Sequence, residues 1–190
     1  ASGSLLLLQQ HYQNLNGGGS MRAATLKALA IHTADEAGDA AGPDYEYGWG
    51  LLNTYKAAQV ISESGGVNHW IIEGNLSQGA PETVQISVAE EGARVSATLV
   101  WHDPPANPVL PPVLDPVTSM LVNDLDLRLI GGGNTALPWV LNPAQPAASA
   151  STGDNIRDNV EQVELAGTVG NYTVQISHKG LLDGGSQDYS

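Results

Sequence analysis

Two aspartates, Asp124 and Asp126, lie two residues apart in the stretch LVNDLDLRLI, Leu121 to Ile130. The stretch alternates apolar and polar residues, the pattern of a half-buried strand. Both carboxylates leave the same strand face, with Cα atoms roughly 6.5–7 Å apart. A pair so placed can flank a hard cation such as calcium, which takes oxygen ligands at about 2.3–2.6 Å. Loops would supply the remaining oxygens: Asp103, Asp115, and the Asp/Asn-rich stretch GDNIRDN (Gly153 to Asn159), which holds Asp158. Calcium is therefore the candidate cofactor, with Asp103, Asp124, Asp126 and Asp158 as candidate ligands. No contiguous EF-hand pattern is present. Two other readings fit the same residues. The carboxylates are solvated, or paired with Arg128 and a neighbouring strand. Alternatively, Asn123 and Asp124 cap a turn through side-chain-to-backbone bonds.

Nucleophilic catalysis needs a hydroxyl, a base and an orienting carboxylate brought together. The five histidines are His11, His32, His69, His102 and His178. No motif selects a set from them, so they read as structural or surface residues. Zinc is disfavoured, because no two histidines are spaced as a ligand pair and cysteine is absent. Of the four tryptophans, Trp49, Trp70 and Trp101 read as core. Only Trp139, in ALPWVLNP, sits in a loop-like context where it could stack on a sugar.

The 190 residues suffice for one large domain or a domain with a smaller element. Apolar residues make up 42%, enough for a core. Phenylalanine is absent, so Leu, Val, Ile, Trp and Tyr must fill it. The formal charge is −13, with seven Lys plus Arg. Nucleic acid and anionic membrane surfaces are excluded as partners, since both need clustered cations. An acidic balance fits secretion, cation binding or plain solubility. Without cysteine there are no disulfides, zinc–thiolate sites or thiol nucleophiles. No apolar run approaches the ~18 residues of a membrane span. The opening ASGSLLLLQQHY lacks a basic region and does not read as a signal peptide.

Positioning elements fall into two parts. Leu5, Leu8, Tyr12 and Leu15 recur at helical spacing, and Asn16 to Gly19 ends that helix. Ser20 is the expected N-cap of MRAATLKALAIHTADEAG, a helix apolar on most sides and hence buried on most sides. A third helix runs from about Leu51 to Ser62. Two or three short helices cannot bury such a surface alone. The segment belongs to a larger core, or packs on another molecule, with a homodimer through the exposed helices as one outcome. After Glu63–Gly66 the chain reads as short strands: HWIIEGNL, ETVQISVA, RVSATLVW, LVNDLDLRLI, LPWVL, DNVEQVEL, NYTVQISH and QDYS. Eight short strands without intervening helices predict a mainly β fold, an antiparallel jelly roll or β-sandwich preceded by two to three α-helices. The expected division is residues 1–65 and 66–190. Leu121, Leu125, Leu127 and Leu129 should fill the sandwich core, although Val122 interrupts the alternation.

Several stretches together resemble the C-terminal portion of bacterial subtilisin-like serine proteases, the subtilases. ASGSLLLLQQHY looks like the helix that follows the Gly-Thr-Ser motif, and ATLKALAIHTAD like the next helix. DYEYGWGLLNTYKAA is similar to the element that closes the catalytic domain. LVWHDPP, LVNDLDL, DNVEQVEL, GNYTVQISHKG and QDYS match, in order, the jelly-roll domain appended to some members. Beside this resemblance, His102 reads as the end of a core strand. The Gly-Thr-Ser nucleophile and the catalytic Asp and His match nothing here; Ser2 and Ser4 lack the flanking Thr and Pro. The resemblance implies a fragment of a secreted endopeptidase: the last helices of an α/β catalytic domain plus a β domain that stabilises it or presents substrate. Its partners would be the missing catalytic portion and, in the parent enzyme, peptide or protein substrates. Alone it should be inactive. Members often bind calcium, which adds to the metal reading. A different class also fits the residues: a non-enzymatic jelly-roll module binding glycan or protein with calcium support.

Overall fold

The computed structural model describes residues 1–112, 114 and 116–190; Asp115 lies outside them. Three helices come first: α1 (Ser2–Leu15), α2 (Ala23–His32) and α3 (Thr54–Glu63). Leu8 of α1, Met21 and Leu29 around α2, and Ala57, Val60 and Ile61 of α3 form one buried cluster. Leu15, expected on the buried face of α1, is exposed at the last residue of the helix, directly before its Asn16 C-cap. Gly17 and Gly18 take the positive φ that ends the helix. Asn53 caps α3, its side chain accepting from the Lys56 amide at 2.9 Å.

The cap of α2 corrects the expectation for Ser20. Arg22 holds the N-cap position and contributes no side-chain cap. The carboxylate of Glu73, distant in sequence, accepts instead from the Arg22 amide at 2.7 Å and from the Thr25 hydroxyl. An anion at a helix N-terminus is favoured by the unpaired amides and the helix dipole. The helix also ends at His32 rather than continuing to Gly38. Thr33 turns its hydroxyl back onto the Leu29 carbonyl, and Asp35 leaves to bridge Leu51. Gly50 sits against that bridge at φ +99, where a Cβ would lie 2.1 Å from the Asp35 carbonyl oxygen. Only glycine fits there, which gives the YGWG element a steric reason.

The remainder is mainly β and antiparallel. The strands are β1 (Gly74–Ser77), β2 (Glu82–Val88), β3 (Arg94–Val100), β4 (Asp124–Gly131), β5 (Asn134–Ala136), β6 (Trp139–Val140), β7 (Ser151–Thr152), β8 (Val160–Ala166), β9 (Gly170–Lys179) and β10 (Ser186–Tyr189). One sheet has the order β2-β9-β4-β5. β3 pairs with β8, β1 with β10, and a Trp101–Tyr189 bridge joins these two pairs end to end. The two layers enclose one core that includes Leu76, Leu99, Trp101, Leu125, Leu127, Leu129, Val163, Tyr172 and Tyr189. The leucines of β4 point inward as their alternation requires, each at most 1% exposed. Leu121 packs at the margin of this core and Val122 lies outside it.

Outside this core, α2 lies on β3. Ala24 and Ala28 pack on Val100 and Val160, the outward-facing residues of β3 and β8. The β part thus covers a second side of α2 that the helices leave bare. Ala23 and Lys27 remain exposed, so the helix is buried on two sides rather than nearly all round.

Candidate functional site

Asp124, Asp126 and Arg128 share the outer face of β4, opposite the leucines. The antiparallel register sets Lys179 of β9 directly across from Asp124. Its ammonium lies 3.3 Å from Asp124, 3.0 Å from Asp126 and 2.7 Å from Asp154. Arg128 adds bonds to Asp126 at 2.8 Å and to Asp154 at 3.0 Å. Asp126 is 6% exposed. Three carboxylates and two cations therefore tie β4, β9 and the 153–158 loop together. Burial raises the Asp124 carboxyl above its ordinary value, with Lys179 opposing it. The bond from Lys179 holds Asp154 below the usual range. Burial pulls the Lys179 ammonium down, but Asp154 and Asp126 outweigh it and hold the group above its ordinary value.

A fourth carboxyl group comes from inside the β core. Glu161 of β8 is fully buried, on the same side of its strand as Val163. Its Oε2 accepts from the Leu127 amide at 2.5 Å. β5 pairs only with Leu129 to Gly131, so Leu127 faces a stretch of β4 edge that no strand covers. Glu161 supplies the missing acceptor. Burial raises this carboxyl to about 8, against the Leu127 bond and Arg128, which lower it. Its Oε1 has no partner among the described residues.

The calcium candidates are thus only partly brought together. Asp124 and Asp126 meet, with Asp154 added, but around Lys179. Asp103 is elsewhere: it accepts from the Val122 and Asn123 amides, both at 2.7 Å, closing the turn into β4. Asp158 accepts from Asn155 at 3.2 Å in its own loop. Among the described residues, no group of three or more acidic or histidine side chains has metal-holding geometry. A hard cation needs several oxygens turned inward on it. Here the carboxylate oxygens already converge on an ammonium, so the set does not fit an additional ion while Lys179 keeps its place.

Asn123 and Asn155 tie the loops that precede β4 and β8 to the segments around them. Asn123 is 1% exposed. It bonds Gln187, accepts from the Asp183 amide, and its carbonyl takes the Trp101 indole N–H. Asn155 donates to the Val160 carbonyl and accepts from the Arg157 amide. Each stands beside an Asp in a loop that leads to a strand, a sequence context that favours local side-chain-to-backbone bonds.

No catalytic constellation assembles among the described residues. His11 Nε2 lies 2.8 Å from the Ser62 hydroxyl, but that hydroxyl donates back to the Ala58 carbonyl and no carboxylate orients the ring. His32 faces the Thr98 hydroxyl at 3.0 Å; burial, with Arg94 nearby, lowers it to about 4. His69 meets Glu63 at 3.5 Å, and His178 accepts from the Gly79 amide. Trp101 is core as expected, whereas Trp70 is 45% exposed, because the chain before β1 crosses the surface as a loop. Trp139 is half-buried, its indole lying over Gly42, where a Cβ would be 2.7 Å from the ring. That contact commits one ring face to packing. No helix among the described residues is long and apolar enough to cross a membrane. In comparisons with known proteins, no family model and no curated protein matches the chain.

Proposed function

We propose that this chain is the C-terminal portion of a secreted bacterial subtilisin-like serine endopeptidase. It would contribute the closing helices of the catalytic domain and an appended jelly roll, while the Ser-His-Asp triad resides elsewhere in the enzyme. The β part then braces the catalytic domain or helps present a peptide substrate. What carries this reading is the packing of α2. It is held between the α1–α3 cluster on one side and Val100 and Val160 on the other. A β domain docked through an apolar face onto helices suits a brace better than an independent module. Leu6, Leu7 and Tyr55 on α1 and α3 are each at least 66% exposed, an apolar surface of the kind that the rest of a catalytic core would cover. The ordered motifs resembling subtilases support the same reading.

The test is a casein-type hydrolysis assay on the purified chain, paired with light scattering. No hydrolysis is expected, and self-association through α1 and α3 is expected at rising concentration. Hydrolysis sensitive to a serine-directed inhibitor would overturn the placement of the triad. A clean monomer that binds no apolar dye would remove the support drawn from the exposed helices.

A further inference from the structure

Asn16 is followed by Gly17, and no other asparagine in the chain is followed by glycine. The pair stands exposed at the end of α1. Three features leave its backbone open. The Gly17 amide has no hydrogen-bond partner among the described residues. No atom lies within 4 Å of where a Cβ would stand at Gly17 or Gly18. Gly17, Gly18 and Gly19 follow one another, so the peptide after Asn16 can turn with no side chain in the way. A nitrogen in that position can close a five-membered ring on the Asn16 side chain. Asn16 also has a structural role. It is the C-cap of α1, and its backbone amide and its side-chain Nδ2 both donate to the Tyr12 carbonyl, each at 2.9 Å. The Gly18 amide adds a bond to the Gln13 carbonyl at 2.8 Å. The last turn of α1 carries no basic side chain, so these neutral donors meet the negative pole of the helix.

We propose that Asn16 is a site of spontaneous deamidation, and that the reaction unfastens the end of α1. The Gly17 nitrogen, having given its proton to a solvent base, forms a bond to Asn16 Cγ. The Cγ–Nδ2 bond breaks and ammonia leaves, giving a succinimide. Water then opens the ring at either carbonyl, which leaves aspartate at this position or its β-linked isomer. The net change is one water consumed and one ammonia released, with no oxidant or enzyme required. Either product loses the Nδ2 donor to Tyr12 and sets a carboxylate against the negative pole of α1. The β-linked product also lengthens the main chain by one carbon before Gly17, which draws the Gly18 amide off Gln13. One negative charge is added to the formal −13. The inference holds whether or not the chain is part of an endopeptidase.

The experiment ages the full chain at pH 8 and at pH 5 and follows each asparagine by peptide mass mapping, with chromatography separating the two products. At pH 8 Asn16 is expected to convert at least about tenfold faster than Asn68 or Asn134, which are exposed but followed by residues that carry a Cβ. Conversion is expected to be much slower at pH 5, because the attacking nitrogen must lose its proton. Converted chain, isolated by its added charge, is expected to lose exchange protection at the Asn16 and Gly18 amides while the β4–β9 ladder keeps its own. Asn16→Asp carries the charge without the longer main chain and should lower Tm by about 1–2 °C. Asn16→Gln keeps a neutral amide but needs a larger ring, and should age without change at this position. Conversion of Asn16 no faster than that of Asn68 would overturn the proposal. So would fast conversion in urea alone, which would mean that the folded turn holds the Gly17 nitrogen out of reach. Converted chain with unchanged Tm and unchanged exchange would overturn the unfastening of α1.

Discussion

Among the described residues, two stretches of strand edge, at β4 and at β3, differ in what meets them. At β4 the uncovered amide of Leu127 is met by the Glu161 carboxyl oxygen, and the surrounding leucines are dry. At β3 the amides and carbonyls of Arg94, Ser96 and Thr98 open onto a cleft, and the facing Val84 and Ile86 stay half-exposed. The difference is one of length. A single unmet donor can be satisfied by one side chain from the opposite layer. Three residues' worth of donors and acceptors exceed what one side chain can meet, and they face the cleft.

The largest contrast should appear on truncating the walls. Leu127→Ala is expected to lower unfolding stability by about 3 kcal/mol, as for a fully buried leucine whose surroundings relax only partly. Ile86→Ala, at the open side, should lose no more than about 1 kcal/mol, since water already reaches that side chain. Urea melts of both variants measure the gap, and equal losses would mean the cleft is closed in solution.

A second effect, this one pH-dependent, belongs to Glu161. Burial moves its carboxyl from 4.5 to about 8, so within that window the folded chain keeps a proton the unfolded chain has released. Its contribution is fully present below about pH 4.5 and is lost as pH rises toward 8, a change on the order of a few kcal/mol. Glu161→Gln should therefore be more stable than the parent at pH 8 and flatten the stability profile between pH 5 and 8. A parent profile already flat across that range would show the carboxylate ionised and satisfied at the β4 edge.

The smallest expected effect concerns calcium. With Lys179 set among Asp124, Asp126 and Asp154, the melting temperature should be the same in excess calcium and in chelator. A ligand at about 100 times its dissociation constant would add about 2.7 kcal/mol, well within the reach of a melting curve. A shift of that size would mean an ion displaces the ammonium and gathers the carboxylates.

Side-chain periodicity alone locates most of the elements. Alternation located β2, β3, β4, β8, β9 and β10, and helical spacing located α1 to α3, because periodicity follows from how each backbone projects its side chains. It missed β5 and β7, whose few residues carry no period, and it extended the first strand back over Trp70, which is surface loop. It placed Asp124 and Asp126 on one face and named Arg128 and a neighbouring strand as their alternative partners. Only the tertiary structure decided that Lys179 is the cation between them, that Asp103 closes a turn instead of joining them, and that Glu73 caps α2 across 51 residues of chain. Those outcomes depend on strand order and on which segment folds over which face. Contacts of that kind join residues far apart in the chain, and no local pattern of side chains encodes them.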